Sequence, residues 1–159
     1  MKVDFDVFYS KTPLGSLKIV TEREYLVGVS FVEYPEIKFP KSAFQEAIAS
    51  QITEYFSLKR KLFQIPLLFI GTPFQKRVWT ALNNIPFGTL TTYKKIAEIV
   101  GCPRGFRAVG QAIHRNPIAI VVPCHRVVGQ DGSLTGYASG LNRKGYLIEL
   151  ERKFNLTSQ

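Results

Sequence analysis

Val3, Phe5, Val7 and Tyr9 interleave with Asp4, Asp6 and Phe8, the period of two expected of a half-buried strand. The turn-forming stretch TPLGS, Thr12 to Ser16, leads into Leu17 and Ile19 and predicts a second strand. Leu26 to Val32 reads as a third. Beyond a loop containing Pro35 and Pro40, the period changes. Ser42 is placed to cap a helix whose apolar face is Phe44, Ile48, Ile52, Tyr55 and Phe56. The basic cluster at 59–61 and the segment around Pro66 then read as an exit toward a second unit.

That second unit is patterned for helices. In GTPFQKRVW, Thr72 fits an N-cap, Pro73 the first helical position and Gln75 the third residue of a capping box. Phe74, Val78, Leu82 and Ile85 carry the apolar stripe until Pro86 and Gly88 end it. Thr92 caps the next helix, where Tyr93, Ile96, Ala97 and Val100 are spaced for burial and Gly101 is the stop. The turn CPRG and the stretch FRAVGQAIHRN complete a helix-turn-helix, a pattern shared with simple helical hairpins. Ile118 to Val122 has the composition of a fully buried strand that Pro123 should end. NRKGYLIELERKF reads as the last helix. The fold class is therefore α/β of the α+β kind. A small sheet-plus-helix domain (1–65) and a linker (66–71) precede a mostly helical domain (72–159), with a short strand leading to Cys124.

Charge separates the same halves. Residues 1–70 hold nine Lys/Arg and eight Asp/Glu, whereas residues 71–159 hold twelve against four. A basic half attached to a neutral one fits a polyanion partner, nucleic acid first, although a merely basic surface fits too. No window approaches the ~18 uninterrupted apolar residues of a membrane span, and MKVDFDVFYS lacks a secretory apolar region. Two cysteines make no disulfide framework, which points to a reducing cytoplasm.

Two stretches carry candidate chemistry. The second helix of the pair holds Ala108, Gly110 and Ala112 between Arg107 and Arg115. An internal glycine costs a helix roughly 1 kcal/mol against alanine, so something must come close to the backbone there. A neighbouring helix or a nucleic-acid groove would both explain it. The other stretch is IVVPCHRVVG. Cys124 needs an ionised sulfur to react, and a free thiol with pKa near ~8.5 is only slightly ionised at neutral pH. His125 is the adjacent base, but neighbours in extended chain face opposite ways. Either a sharp turn or a bridging water is required. The carboxylates of this half that could hold the imidazole are Glu98, Asp131, Glu149 and Glu151. Cys124 as a small buried hydrophobe is the competing reading. A zinc site of Cys102, Cys124, His114 and His125 lacks any C-x2-C or H-x3-H pair.

The stretches TPFQKRVWTALNNIPFGTLTTYKKIA, RAVGQAIHRNPIAIVVPCHRVVGQDGSLTGYASGL and RKGYLIELE resemble, in order and spacing, the C-terminal domain of the O6-alkylguanine-DNA alkyltransferases, also called methylated-DNA–protein-cysteine methyltransferases. The resemblance covers about residues 72–151. It implies a repair protein that flips an alkylated guanine from duplex DNA and moves the alkyl group irreversibly to Cys124, once per molecule and without a cofactor or metal. O6-methylguanine would be the main substrate, with O4-methylthymine beside it. By the same resemblance His125, a water and Glu151 activate the sulfur, and Asn116 braces the turn before it. Tyr93 donates to the guanine, while Arg107 fills the vacated stack. Thr92, Ala108, Gly110, Gln111 and Arg115 join Arg107 in the DNA contact. Val127, Tyr137, Ala138 and Ser139 line the alkyl pocket, with Lys144 at its rim. The implied partner is the minor groove of double-stranded DNA, bound by a cytoplasmic monomer.

Phe106 departs from the family's usual small residue, as a second wedge or a core side chain. Ser139 stands where a glycine is usual and bears on bulky substrates. Three other functions compete: an alkyltransferase-like protein that binds such lesions without chemistry, a Cys-His hydrolase, and a DNA-binding regulator with a structural cysteine. Cys124 argues against the first, because that class resembles this pattern with tryptophan at the cysteine. The basic helix-turn-helix argues against the second.

Overall fold

A computed structural model describes residues 3–157, which divide into two compact units at Phe69 and Ile70. In the first unit, β1 (Asp6–Thr12), β2 (Gly15–Glu22) and β3 (Tyr25–Val32) form an antiparallel meander in that order. Phe8, Leu17, Ile19, Leu26 and Val29 supply the sheet's part of the core. The helix α1 (Ala43–Phe56) adds Ile48, Ile52 and Tyr55. Ser42 caps it by accepting the Gln45 backbone N–H, and the buried Gln45 amide donates to Thr21 Oγ1 at 3.0 Å. The chain leaving α1 lies along β3, with Leu26 and Leu68 exchanging backbone hydrogen bonds with Pro66 and Leu26.

The first strand corrects the sequence pattern in one respect. The buried side chain of β1 is Phe8, while Val3 and Phe5 are half exposed and precede the strand. The alternation is present, but its inward set is the even one. A shift of one residue exchanges the faces of a strand, and the meander's pairing of Phe8 with the buried Ile19 decides which face wins.

The second unit comprises α2 (Pro73–Asn83), β4 (Thr91–Thr92), α3 (Tyr93–Ile99), α4 (Phe106–His114), a single 3-10 turn (Cys124–Arg126), β5 (Val127–Val128) and α5 (Leu141–Thr157). Thr72 and Gln75 form a reciprocal capping box with Pro73 at the helix start. Thr92 caps α3 by accepting the Lys95 N–H. Between α3 and α4 the chain reverses at Gly101, φ 77°. Cys102 fills the space a side chain at Gly105 would need, so this second cysteine is packing within the turn. The Trp79 indole donates to the Ala112 carbonyl at 2.8 Å and ties α2 to α4. No helix among the described residues is long and apolar enough to cross a membrane.

Residues 118–122 are not a strand. They form consecutive tight turns, with Val121 bonded back to Ala119 and Val122 to Ile118. Ile120 adopts φ 72°, a left-handed conformation that costs a β-branched residue of order 1–3 kcal/mol. The short strand follows the cysteine instead of leading to it. β5 pairs in parallel with β4, Thr91 opposite Val127 and Thr92 opposite Val128. That ladder holds the 3-10 turn beside the N-terminus of α3.

Candidate active site

Asn116 begins the site. Its side-chain oxygen accepts the Ile118 N–H at 3.0 Å and its amide donates to the Val122 carbonyl at 2.8 Å. The two bonds close the turns over residues 116–122 and deliver Cys124 to the 3-10 turn. Cys124 and His125 thus stand on a sharp backbone turn, where successive residues point about a third of a revolution apart instead of to opposite faces. Cys124 is 9% exposed. Burial pushes its thiol above the ordinary value, against the opposing pull of an Asn116 hydrogen bond and the Lys144 charge. The resting sulfur is a thiol that needs a base.

His125 is fully buried, and its Nε2 lies 2.6 Å from Glu151 Oε2. Burial lowers its pKa despite the carboxylate, so the ring is neutral at pH 7. Burial raises Glu151, but its hydrogen bonds to His125 and Arg126 and the Arg126 charge outweigh it and hold the carboxyl well below the usual carboxylate range. An ionised Glu151 fixes the tautomer: Nε2 carries the proton and Nδ1 is the bare acceptor. Nδ1 has no partner among the described residues, nor does the buried Tyr137 hydroxyl. Buried polar groups left open cost about 1–3 kcal/mol each.

Arg126 is the residue the sequence reading missed. Its guanidinium makes a two-pronged contact with Glu151, at 2.8 and 3.0 Å, and donates to the Ile85 carbonyl at 2.6 Å. Gly88 N–H donates to the same carboxylate at 3.2 Å. The IPFG segment that ends α2 is thus the floor of the site. The signal available was an arginine directly after the histidine in a half with four carboxylates.

Tyr93, at the start of α3, donates to the Thr135 carbonyl at 2.8 Å; burial raises its pKa. Lys144 was expected at a pocket rim, but its side chain is fully buried and its ammonium donates to the same carbonyl. Burial lowers Lys144 to about 8. Val127 and Tyr137 are buried, Ala138 is exposed and Ser139 half-buried. Ser139 does not take the left-handed backbone that its neighbour Gly140 does, so the side chain is carried without strain. Its carbonyl accepts from Arg143 at 3.2 Å.

A cleft of about 530 Å³ is lined by Tyr93, Arg107, Gly110, Gln111, His114, Arg115, Thr135 and Gly136. Of the expected DNA-contact residues, Arg107, Gly110, Gln111 and Arg115 come together here, and His114 is an addition. Thr92 is used as a helix cap. Ala108 is exposed but outside the cleft lining, and Ala112 is buried, so the three small residues share no face. A Cβ built on Gly110 would meet no described atom within 4 Å. Internal helix packing therefore does not account for this glycine. Phe106 is 46% exposed at the first residue of α4, which excludes the core.

A buried thiol followed by an imidazole–carboxylate pair, on a helix-turn-helix unit, is the arrangement expected of a nucleic-acid-binding protein with a single candidate nucleophile. The comparisons with known proteins narrow it. The family described as "6-O-methylguanine DNA methyltransferase, DNA binding domain" matches residues 73–153. A methylated-DNA–protein-cysteine methyltransferase of Mycobacterium leprae is 55% identical over 153 residues, 92% of each chain. One from Methanosarcina barkeri is 48% identical over 137 residues, 86% of this chain and 87% of that one. The crystal structure of Mycobacterium tuberculosis O6-methylguanine methyltransferase matches with a TM-score of 0.85 at 37% identity over 94% of both chains. The structure of that protein in complex with DNA also gives 0.85, at 38% identity over 94% of this chain and 93% of that one. The chain belongs to the methylated-DNA–protein-cysteine methyltransferase family, and its helical unit is the family's DNA-binding domain.

Proposed function

We propose that this protein repairs DNA by direct reversal, taking the alkyl group of O6-alkylguanine onto Cys124 in a single turnover. The observation that carries the reading is the state of His125: neutral, held at Nε2 by Glu151, and open at Nδ1 one residue from the only thiol in the site. His125 Nδ1 takes the Cys124 proton, directly or through a water. The sulfur attacks the alkyl carbon, forming S–C as C–O6 breaks. A soft thiolate suits displacement at carbon, and negative charge develops on the departing guanine. Tyr93 exchanges Thr135 for the base and protonates it.

An in-line attack on a stacked base is geometrically closed, so the nucleotide must leave the helix. Arg107 lies on the exposed first turn of α4 and suits the vacated position. Gly110 lets the duplex approach the α4 backbone. We assign Gln111 and Arg115 to DNA contact with them, in the minor groove, whose sequence-poor readout suits a lesion scanner. Val127, Tyr137 and Ser139 are assigned to the alkyl pocket by the family resemblance. The protein is taken to act as a monomer in the cytoplasm. The lesion-binding reading without chemistry gives no role to the Cys124–His125–Glu151 arrangement.

The test is stoichiometric. A duplex oligonucleotide containing O6-methylguanine is mixed with the protein, and restored guanine is counted against protein. One equivalent, with a gain of one methylene in intact mass and no reaction of Cys124→Ser, is expected. No restored guanine would refute repair, and many equivalents per protein would refute single turnover.

A further inference from the structure

The helical unit holds four phenylalanines, Phe74, Phe87, Phe106 and Phe154, and three of them are half-buried and engaged. The Arg77 guanidinium stands 5.6 Å from the Phe74 ring centroid, and Phe87 meets Phe154 edge to face at 5.4 Å. Phe106 differs. It is 46% exposed and has no ring or cation partner among the described residues. A single exposed apolar residue is ordinary, so exposure alone decides nothing. The position of this one does.

Phe106 opens α4. Gly105 caps the helix without a side-chain bond, and Phe106, Arg107 and Ala108 are all exposed. Residues four apart on a helix stand one above the other, so the ring lies one turn before Gly110 on the same face. Gly110 and Arg107 both line the cleft, and a side chain built on Gly110 would meet no described atom within 4 Å. A duplex that comes close to the backbone at Gly110 therefore meets the Phe106 ring and the Arg107 guanidinium along one edge. Arg104 and Arg107 flank the ring in the chain, and no acidic residue occurs between Glu98 and Asp131. An apolar side chain among basic ones at a helix start has the chemistry of the wedges with which minor-groove proteins part base steps.

Resting on the reading of α4 and Arg107 above, we propose that Phe106 is a second wedge: it enters the base step beside the lesion and stacks on the base pair there, while Arg107 occupies the position the alkylated guanine has left. The two side chains divide the task. Arg107 replaces the lost base with a flat cation. Phe106 holds the neighbouring pair away, so that the nucleotide stays out of the helix while the sulfur attacks. The ring suits this because any base offers it a flat face, whatever the sequence. No bond is made or broken by Phe106. It touches DNA and no reacting atom, and it acts on the rate only through the position of the nucleotide.

The test compares paired and unpaired substrate. Native protein, Phe106→Ala and Phe106→Tyr, each in saturating excess, react in single turnover with one O6-methylguanine oligonucleotide, as a duplex and as a single strand. Phe106→Ala is expected to slow the duplex reaction on the order of tenfold and the single-strand reaction far less, because a single strand has no paired step to part. Phe106→Tyr keeps the ring and should recover most of the duplex rate. The side chain is exposed, so thermal denaturation of Phe106→Ala should match native protein and separate a lost wedge from a lost fold. A second readout places 2-aminopurine, which brightens when unstacked, first on one side of the lesion and then on the other. Native protein should brighten one of the two probes more than Phe106→Ala does. An unchanged duplex rate, equal slowing of both substrates, a Phe106→Tyr variant as slow as Phe106→Ala, or the same brightening at both probes with and without the ring would overturn the wedge and leave repair standing. If native protein restores no guanine in either substrate, the dealkylation reading itself has failed, and the wedge falls with it.

Discussion

Glu151 is the most heavily used side chain of the site, bonded at once to His125, Arg126 and the Gly88 N–H. Glu151→Gln keeps the shape and removes the charge. The imidazole then loses the anion that fixes its tautomer, and Arg126 is left buried without its partner. Transfer from DNA is expected to fall on the order of a hundredfold or more. Chemical denaturation should register a loss of about 3–5 kcal/mol. A variant as stable and as fast as native protein would contradict both roles. Lys144 makes a prediction of opposite sign. Its pKa falls from 10.5 to about 8 on folding. Between those values the unfolded chain binds a proton that the folded protein does not, so stability rises with pH across that window. Below about 8 the penalty is constant and complete. Lys144→Met should therefore be more stable than native protein at pH 7, by up to a few kcal/mol, with the difference vanishing toward pH 10.5. Denaturant titrations of the two proteins at several pH values check this. A parallel pair of curves would refute it.

At the level of elements, α4 is built for an external neighbour. An alanine at Gly110 would meet no atom of the described structure, and the position is an ordinary helical one. Gly110→Ala is expected to stabilise the fold by roughly 0.5–1 kcal/mol while weakening duplex binding, seen as a higher melting temperature with a larger Kd. A stabilised variant that binds duplex as well as native protein would show that nothing approaches this backbone. Helices were the legible part of the sequence because their ends are local. Ser42, Thr72 and Thr92 each cap the helix that follows through a bond three residues long. The stretch 118–122 was not legible. Its β-branched composition reads as a strand, but Asn116 bonds across it and Ile120 is turned left-handed, a result no window of hydrophobicity contains. The inward face of β1 failed for a related reason, since cross-strand pairing with β2 chose between two similar faces. In the site, Cys124, His125, Asn116 and Glu151 were named from the sequence. Asn116 and Glu151 came through the family resemblance; Arg126 was carried neither by that resemblance nor by any local pattern, since its acceptors, Glu151 and the Ile85 carbonyl, lie 25 and 41 residues away.

Over the whole molecule, charge divides as the units do. The DNA-binding half carries a balance of twelve basic to four acidic residues, and the other is nearly neutral. Phosphate contacts release counterions, so duplex affinity should fall linearly with salt on logarithmic axes, with a slope of about −0.9 per phosphate neutralised. Undamaged and lesion-bearing duplexes should share nearly the same slope. Affinity independent of salt would remove the electrostatic basis of the assignment. The central claim is narrower than binding and concerns where one methyl group ends. The direct measurement uses a duplex whose O6-methylguanine carries an isotopically labelled methyl, followed by peptide mass analysis of the protein. The label is expected on Cys124, at one per molecule, with none on Cys102 or in solution as methanol. Label on any other residue, or released to water, would contradict the account.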